Sequence, residues 1–320
     1  MTELNVKLNC MFAVKEITAY HHMTYDQFIS YFLPFENNKY IISNNNNCDI
    51  CINGIGLDDK KYLKTGQLNI LIVNENLSVG RTHYSHYNVY NRYNNNLINI
   101  YIYNDITRIV VTNRFIAIPI IYFHVYHYNR FKEYYKNKVT TTSFKNKKFA
   151  LFTSQNLLNT NKIILVNELS QLGPVDYLTM YNEQVKQKSC YNSLELLNIY
   201  NKYKFIIAFE NSKTDGYVTE KIFNVLFSKS IPIYDGAPNI HSYINKEVFI
   251  SYGDNHIDKI KELVNDEEKY NNMLNKNKIA PNYNDENFLK LYLEYMNVFI
   301  NKNKKNYRKD WNMHDLMINK

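Results

Sequence analysis

The chain has 320 residues, of which 45% are hydrophobic, and this length and composition predict a globular protein with room for two domains. Its formal net charge is +8, which either reflects an anionic partner such as nucleic acid, membrane or a nucleotide, or a solvated lysine-rich surface. Glycine is scarce at 8 residues, and Gly54 and Gly56 form the only close pair, which excludes a G-x-G-x-x-G dinucleotide loop and a Walker P-loop.

The amino terminus lacks the apolar core of a signal peptide, and the longest apolar run, Phe115–Phe123, is too short to cross a bilayer. We therefore expect a soluble, cytoplasmic protein. Segment 301–320 is a basic tail behind an amphipathic helix, which favours weak contact with an anionic membrane surface, and a frayed soluble terminus explains it equally well. No RRM, zinc-finger or helix-turn-helix pattern accompanies the charge, so we predict no nucleic-acid partner.

Four cysteines do not make a disulfide framework in a chain of this length. Cys48 and Cys51 form a lone C-x-x-C pair inside an Asn-rich loop. Two H-x-x-H spacings, which begin at His83 and His124, lie in strand-like sequence, where residues three apart point to opposite faces. We therefore predict no metal site.

The first half alternates strand-like runs with polar loops, as expected for an α/β domain at residues 1–140. Leu68–Val73 is an Ile/Leu/Val-rich run, interrupted only by Asn69, of the kind found in parallel sheets that are buried on both faces. Leu97–Tyr103 and Ile106–Val111 are predicted to form a hairpin or an edge pair. The remaining predicted elements of this half are strands at Asn5–Val14 and Asp49–Asn53 and a helix at Tyr25–Phe35.

The polar stretch Lys136–Lys148 is the best candidate for a linker between two domains. A new strand, Phe149–Thr153, then opens a second α/β domain, which we place at residues 141–300. The last predicted element is an amphipathic helix at Phe288–Ile300, whose apolar residues recur at helical spacing.

Segment 205–238 is the most informative part of the chain. It contains a buried strand, a polar loop, a helix and a second apolar strand, which predicts a βαβ unit with parallel strands and a right-handed crossover. The loop leaves the carboxyl end of the first strand, where open α/β sheets hold their ligands. The candidate binding residues in the loop and at the helix start are Glu210, Asn211, Tyr217, Thr219, Glu220 and Lys221.

Lys221 is predicted to lie in the first turn of this helix, where a cation is unfavourable because the helix amino end is already partly positive. A lysine beside free N–H groups is explained if an anion binds there, most naturally a phosphate or diphosphate. Glu220 would repel that anion, so we expect it to accept hydrogen bonds from sugar or ribose hydroxyls. For an isolated Glu-Lys pair, solvated surface charges are the simpler interpretation.

The segment resembles the signature of the family-ten α-1,3/1,4-fucosyltransferases. The matching residues are Phe209–Ser212, Tyr217–Lys221, Ile231–Tyr234 and Gly236–Pro238. The resemblance implies that this segment binds GDP-fucose and that two Rossmann-like domains face a cleft, which is the GT-B architecture. Enzymes of that architecture generally neutralise the leaving diphosphate with helix dipoles and basic side chains, so the resemblance implies that neither a metal nor another cofactor is needed.

The resemblance extends more weakly into the first half. Asn69–Asn76 resembles the family's strand followed by a GEN turn, with Asn74 in place of Gly. This implies that Glu75, at the carboxyl end of a buried strand, is the general base, and a surface turn carboxylate is the alternative. Asn113–Tyr122 is similar to the family's DRYLR-M-P-L-Y-Y segment.

The family carries an Arg shortly after its strand equivalent to Phe149–Thr153, and that Arg holds the donor diphosphate. Here the best-aligned cation is Lys162, with Asn161 as the alternative position. Lys offers a point charge where Arg offers a bidentate fork, so the exchange is not neutral. Asp235 occupies a position where bacterial members often carry an aromatic residue. These departures bear on donor affinity and on acceptor choice.

Taken with the resemblance, the sequence predicts an inverting glycosyltransferase that moves L-fucose from GDP-fucose to an acceptor glycan or glycoconjugate, as an α-1,3 linkage to N-acetylglucosamine. Lys162 and Lys221 hold the diphosphate in this hypothesis, while Asn211, Tyr217 and Glu220 position the ribose and fucose. Two alternatives remain, namely a GT-B enzyme that uses another nucleotide sugar and a catalytically dead, glycan-binding relative.

Overall fold

The computed structural model describes residues 2–9, 38–42, 50–54, 68–73, 100–103, 109–111, 116–153, 160–178, 194–253 and 255–302. These residues form two β-sheets and the helices that pack on them. The predicted helix Tyr25–Phe35 and residues 303–320 of the basic tail lie outside the described residues.

The first sheet is built from short parallel strands. They are β1 (Thr2–Asn9), β2 (Asn38–Ile42), β3 (Ile50–Gly54), β4 (Leu68–Val73), β5 (Ile100–Tyr103), β6 (Val110–Val111) and β7 (Ile116–Pro119). Their order is β2-β1-β3-β4-β5-β7-β6, and every neighbouring pair is parallel except β6 with β7. Strand β4 has a parallel partner on each side, and Ile70 within it is fully buried, as its Ile/Leu/Val-rich sequence predicted.

The predicted pairing of Leu97–Tyr103 with Ile106–Val111 is wrong. Strand β5 pairs in parallel with β4 and β7, whereas β6 pairs only with β7, antiparallel. The apolar run after β6 supplies β7, which inserts between the two segments. Short apolar runs indicate that strands are present, but they do not determine which strands pair. Here a later strand, β7, pairs with both segments.

The second sheet is entirely parallel. Its strands are β8 (Lys148–Thr153), β9 (Val175–Leu178), β10 (Tyr203–Phe209), β11 (Ile231–Asp235) and β12 (Ile250–Ser251). Their order is β12-β11-β10-β8-β9. The predicted βαβ unit is confirmed, because β10 and β11 are parallel neighbours with a helix between them along the chain.

Helices cover both faces of the second sheet. They are α1 (Ile120–Lys138), α2 (Thr160–Ser170), α3 (Leu194–Tyr200), α4 (Glu220–Phe227), α5 (His256–Asn265) and α6 (Glu267–Asn275). A further helix, α7 (Asp285–Lys302), packs on α1. Phe205, Ile207 and Phe209 of β10 pack in one core with α2, α5 and α6. Ile206 and Ala208 point the other way, into a core shared with α1, α3 and α4. This two-fold alternation within an all-apolar strand is expected for a sheet buried on both faces, and it confirms the α/β class.

The predicted carboxyl-terminal helix is confirmed as α7, and aromatic contacts join it to α1. Phe288 stacks on Tyr122 at 5.2 Å between ring centroids and meets Phe123 edge to face at the same distance. Tyr292 meets Phe123 edge to face at 5.4 Å. Helix α1 in turn packs on α4, where His124 stacks on Phe223 at 5.2 Å. Within the described ranges, every helix falls short of the length and apolarity that a membrane crossing requires.

The predicted linker Lys136–Lys148 contains a buried lysine that sequence analysis missed. The Lys147 ammonium donates to the backbone carbonyl and side-chain oxygen of Asn201 and to the carbonyl of Lys229 at 2.6 Å. Asn201 is itself fully buried and donates to Thr140. Burial, and then the nearby Lys229 charge, lower the pKa of Lys147 to about 7. Part of the polar stretch is therefore packed beneath the amino end of the sheet.

Candidate functional site

The strand order of the second sheet places a switch point between β8 and β10. The chain leaves β8 towards β9 on one side and returns through α3 to β10 on the other side. Open α/β sheets bind ligands in the crevice outside the carboxyl ends of the strands at such a point. Helix α2, which follows β8, and loop 210–219, which follows β10, therefore flank the expected binding crevice.

Glu210 is the centre of a buried polar cluster at this position. Its side chain is fully buried, although it is the first residue after β10. Oε1 accepts a hydrogen bond from the Thr219 backbone N–H at 2.8 Å, and Oε2 accepts from the Thr219 hydroxyl at 2.7 Å. The Lys221 ammonium donates to the same Oε2 at 3.2 Å. Three donors therefore converge on one carboxylate, which fixes the two ends of loop 210–219 to each other.

Helix α4 starts at Glu220 because Thr219 is its N-cap. Thr219 has extended backbone angles, φ −114° and ψ −173°, and its hydroxyl accepts from the Lys221 N–H. A threonine at this position satisfies one of the N–H groups that a helix start leaves without a partner. The same hydroxyl accepts from the Lys221 ammonium at 2.9 Å. The cap and the cation are thus parts of one hydrogen-bonded unit.

Lys221 carries a positive charge in the first turn of α4, as the sequence predicted. Its ammonium lies 3.2 Å from Glu210 Oε2 and 3.7 Å from Glu220 Oε1. Burial lowers the pKa of Lys221, but the two carboxylates outweigh it and hold the pKa above the usual range for lysine. The side chain remains 29% exposed, so the charge is both fixed by protein groups and accessible from outside.

Lys162 lies in the first turn of α2 and is 5% exposed. Burial lowers its pKa, the charge of Lys221 lowers that pKa further, and the carboxylate of Glu210 opposes both effects. The two lysines therefore come from helices on either side of the switch point and lie near enough to repel each other. An anion placed between two such ammonium groups would remove that repulsion.

The structure divides the predicted loop residues into two groups of three. The first group has accessible surface and can contact a ligand directly, whereas the second is buried and supports the loop from within. The accessible residues are Asn211, Glu220 and Lys221, and the buried ones are Glu210, Tyr217 and Thr219. Tyr217 is only 2% exposed, so a direct contact between it and a sugar requires movement of the loop.

Gly236 allows strand β11 to approach this cluster. A Cβ atom at that position would lie 2.5 Å from Glu210 Cγ and 2.6 Å from Tyr234 Cζ, far inside van der Waals contact. Tyr234 is itself buried, and its hydroxyl accepts from the Ala237 N–H at 3.1 Å. Neither neighbour has space to move away, so the glycine in the family-like motif is needed for packing.

We expect Gly236→Ala to lower the free energy of unfolding by about 1–3 kcal/mol, the usual cost of inserting a methyl group into a filled core. The displaced group is Glu210, so activity should fall more than the loss of stability alone explains. Thermal unfolding and turnover of the purified variant measure the two effects. Wild-type stability together with wild-type turnover would contradict the packing argument.

Two contacts of loop 210–219 were not expected from the sequence. Lys213 forms an ion pair with Asp235 at 2.6 Å between Nζ and Oδ1. Asn239 Oδ1 accepts from the Gly216 N–H at 2.9 Å. Both contacts join the loop to residues 235–239, which follow β11, and no local pattern in the sequence predicts a contact across more than 20 positions.

Glu75, the predicted general base, lies outside the described residues. The strand that precedes it is described, since β4 ends at Val73, and its carboxyl end is where a cleft-facing residue is expected. The strand-like interpretation of the H-x-x-H pair that begins at His124 is wrong, because His124 and His127 lie about one turn apart in helix α1. The His124 ring stacks on Phe223. No group of three or more potential metal ligands occurs in the part of the chain that the structure describes.

Residues 142–284 match the sequence model of a known family, "Glycosyltransferase family 10 (fucosyltransferase) C-term". The chain is 38% identical over 92 residues to an α-(1,3)-fucosyltransferase of Helicobacter pylori, a match that covers 27% of this chain and 19% of that protein. It is 37% identical over 70 residues to GDP-fucose protein O-fucosyltransferase 3 of Xenopus laevis, which covers 21% and 15% of the two chains. The matched segment thus spans less than a fifth of either relative.

A solved structure of an α1,3-fucosyltransferase with GDP-fucose aligns with 97% of this chain and with 93% of its own chain. The TM-score is 0.60 and the sequence identity is 20%. A likeness at this identity shows the fold, and it confirms the GT-B architecture that was expected from the sequence.

Proposed function

Because residues 142–284 match the C-terminal model of glycosyltransferase family 10, we propose that the chain is an inverting fucosyltransferase. It moves L-fucose from GDP-fucose to a hydroxyl of an acceptor glycan or glycoconjugate. The acceptor that we propose is N-acetylglucosamine, with an α-1,3 linkage. The names of the relatives indicate different acceptors, since one is an α-(1,3)-fucosyltransferase and another is a protein O-fucosyltransferase.

The observation that carries this proposal is the convergence of Lys162 and Lys221 at the switch point. In this proposal the charges of Lys162 and Lys221, which repel each other, together bind a doubly charged group at the amino end of α4. A nucleoside diphosphate supplies that charge on adjacent phosphates. In this proposal the side chains of Asn211 and Glu220, both accessible, form hydrogen bonds with the ribose and fucose hydroxyls, and the Glu220 carboxylate is the acceptor in its own bonds.

Fixed cations act on the chemical step and on binding. When the acceptor hydroxyl attacks the anomeric carbon, the glycosidic C–O bond to the diphosphate breaks and negative charge grows on GDP. Lys221 is held in place by Glu210 and Thr219, so it need not reorganise as that charge develops. Electrostatic stabilisation by preorganised groups of this kind is usually the largest single contribution to catalysis. We propose Glu75 as the base that takes the acceptor proton, and we propose that no metal is needed.

The direct test is to incubate the purified chain with GDP-fucose and an N-acetyllactosamine acceptor in the presence of EDTA. We expect release of GDP and formation of a fucosylated product. Glu75→Gln should abolish product formation while GDP binding is retained. A Glu247→Gln variant is a suitable control, because Glu247 is an exposed carboxylate that pairs with Lys276 and lies outside the site.

Other outcomes of the same experiment have definite meanings. GDP release without a fucosylated product would support GDP-fucose as the donor and would contradict the proposed acceptor. Failure of GDP-fucose to bind, together with binding of GDP-mannose or a UDP-sugar, would favour another nucleotide sugar. Lys162, which stands where the family carries Arg, favours this second candidate function. The lysine ammonium is a point charge and selects its anion less strictly than the bidentate guanidinium of arginine does.

We expect the affinity for GDP to fall as the pH rises from neutral to alkaline. Burial and the charge of Lys221 lower the pKa of Lys162, so its protonated form is lost at a lower pH than for an ordinary lysine. Only the protonated form attracts a diphosphate, and bound diphosphate raises that pKa again. Affinity is therefore full below the pKa of Lys162 in the free protein and is lost as the pH rises through it.

Isothermal titration with GDP across this range, for the wild type and two variants, measures the effect. Lys162→Met should bind GDP about tenfold to hundredfold more weakly at neutral pH, as expected for a lost charged hydrogen bond. It should also lack the alkaline decline. Lys162→Arg should bind well throughout, since arginine does not deprotonate in proteins. An alkaline decline of equal size in Lys162→Met would assign it to another group.

A further inference from the structure

Loop 210–219 is attached to the protein on a second side, away from helix α4. Three of its contacts there are with turn 235–239, which follows β11. The Glu210 N–H donates to the Asp235 carbonyl at 2.8 Å and continues the sheet pairing beyond β10. The Lys213 ammonium pairs with the Asp235 carboxylate, which is only 11% exposed, at 2.6 Å. The third contact is the bond from the Gly216 N–H to Asn239.

The Asn239 contact lies at the most constrained point of the loop. Gly216 has a φ of +80°, a value that side chains other than glycine rarely adopt. The reversal at Gly216 directs the chain from exposed residues into the buried Tyr217 and then to Thr219, the N-cap of α4. A hydrogen bond to the N–H of Gly216 therefore fixes the direction in which the loop enters the helix that carries Lys221.

Asn239 is suited to this role by its own position. It precedes the 3-10 helix Ile240–Ser242, whose first residue, Ile240, is buried in the core. The Asn239 backbone is therefore fixed, and only the side chain reaches across to the loop. Tyr243, directly behind this helix, is close enough to Asp215 that the carboxylate contributes to the raised pKa of the Tyr243 hydroxyl, after burial and Tyr122. The loop thus lies against this segment at several points.

We propose that Asn239 is a positioning residue for the nucleotide-sugar donor. It acts through Gly216 and is supported by the ion pair between Lys213 and Asp235. This inference rests on the proposed function for its ligand, but its structural part, order in loop 210–219, is independent of any ligand. Turn 235–239 holds the accessible residues of the loop, Asn211 among them, in the arrangement that a donor meets.

Asn239→Ala removes the acceptor, and Asn239→Asp retains an oxygen that can accept from the Gly216 N–H. The matched control is Asn245→Ala, because Asn245 Oδ1 also accepts from a backbone N–H, that of Glu247 at 3.0 Å, outside the site. We expect Asn239→Ala to raise the KM for GDP-fucose about fivefold, the usual effect of one neutral hydrogen bond. The value of kcat and the KM for the acceptor should stay unchanged, and Asn239→Asp should restore the wild-type KM.

A second readout needs no nucleotide. Lys213 is 52% exposed and is a trypsin site inside the loop, so the rate of cleavage after Lys213 reports local opening. We expect cleavage to be about fivefold faster in Asn239→Ala than in the wild type or Asn245→Ala, at an unchanged melting temperature.

The two readouts separate the two proposals. If the wild type does not bind GDP-fucose, the proposed function fails, and faster cleavage in Asn239→Ala still supports the positioning role. If the wild type transfers fucose but Asn239→Ala has a wild-type KM and wild-type cleavage, the positioning role is overturned and the function stands. A KM change equal in Asn239→Ala and Asn245→Ala would also overturn it, because the effect would then come from general destabilisation.

Discussion

Replacement of Lys221 by alanine is expected to lower turnover of GDP-fucose about 100-fold to 1000-fold, the loss typical for one preorganised group that stabilises charge in the transition state. Lys221 is accessible, charged, and held by Glu210 and Thr219 at the amino end of α4. In the proposed reaction, its removal takes away positive charge at the place where negative charge grows on the departing GDP. Steady-state kinetics with varied GDP-fucose should show the loss mainly in kcat, with a smaller rise in KM.

Loss of folding must be separated from loss of chemistry, because Lys221→Ala leaves the buried Glu210 carboxylate without its cation. The double variant Glu210→Gln with Lys221→Met replaces the ion pair by neutral groups of similar shape. It should melt close to the wild type yet remain inactive. Lys261→Ala, which removes an exposed lysine of α5, is the control for general loss of charge. Wild-type kcat in a folded Lys221→Ala protein would exclude Lys221 from the chemical step.

The largest effect on stability is expected at Glu210. Glu210→Ala should lower the free energy of unfolding by about 3 kcal/mol, because it leaves the Thr219 N–H, the Thr219 hydroxyl and the Lys221 ammonium without their shared acceptor. The loss should be smaller for Glu210→Gln, which retains an oxygen for the Thr219 N–H. Urea unfolding followed by circular dichroism measures both values.

The exposed carboxylate of Glu247 provides the comparison for this series. It pairs with Lys276 at 2.6 Å, but pairs between exposed side chains contribute little to stability, so the stability of Glu247→Ala should stay close to that of the wild type. If Glu210→Ala were no more destabilising than Glu247→Ala, the carboxylate could not be the group that joins loop 210–219 to α4.

The sequence predicted the second domain better than the first. Strands β8, β10 and β11 are apolar runs of five to seven residues bounded by polar residues, a length and composition typical of buried strands. In the first half, β5, β6 and β7 are two to four residues long, so their pairing depends on tertiary contacts that local patterns do not record. The wrong hairpin at Leu97–Val111 follows from that limit.

Within the site, the sequence pointed to the unusual position of Lys221 but not to the contacts that support it. Lys221 was recognised because a cation at a helix start is locally unfavourable. The burial of Tyr217 and Glu210 was not predicted, since the same polar loop could present either side to solvent. Asn239 had no local signal at all, because its partner Gly216 is 23 positions away along the chain. A sequence pattern can show that a residue is locally unfavourable, as Lys221 is at a helix start. Contacts between residues far apart along the chain depend on the fold.

Because α7 packs against α1, part of the α1 surface can be covered only near the end of synthesis. Phe123, which is fully buried, is made before the second sheet, but its partners Phe288 and Tyr292 are among the last described residues. On a ribosome, the aromatic surface of α1 therefore stays without its final cover until α7 has emerged. A chain that ended at residue 284, where the family match ends, would expose that surface permanently and would be prone to aggregate.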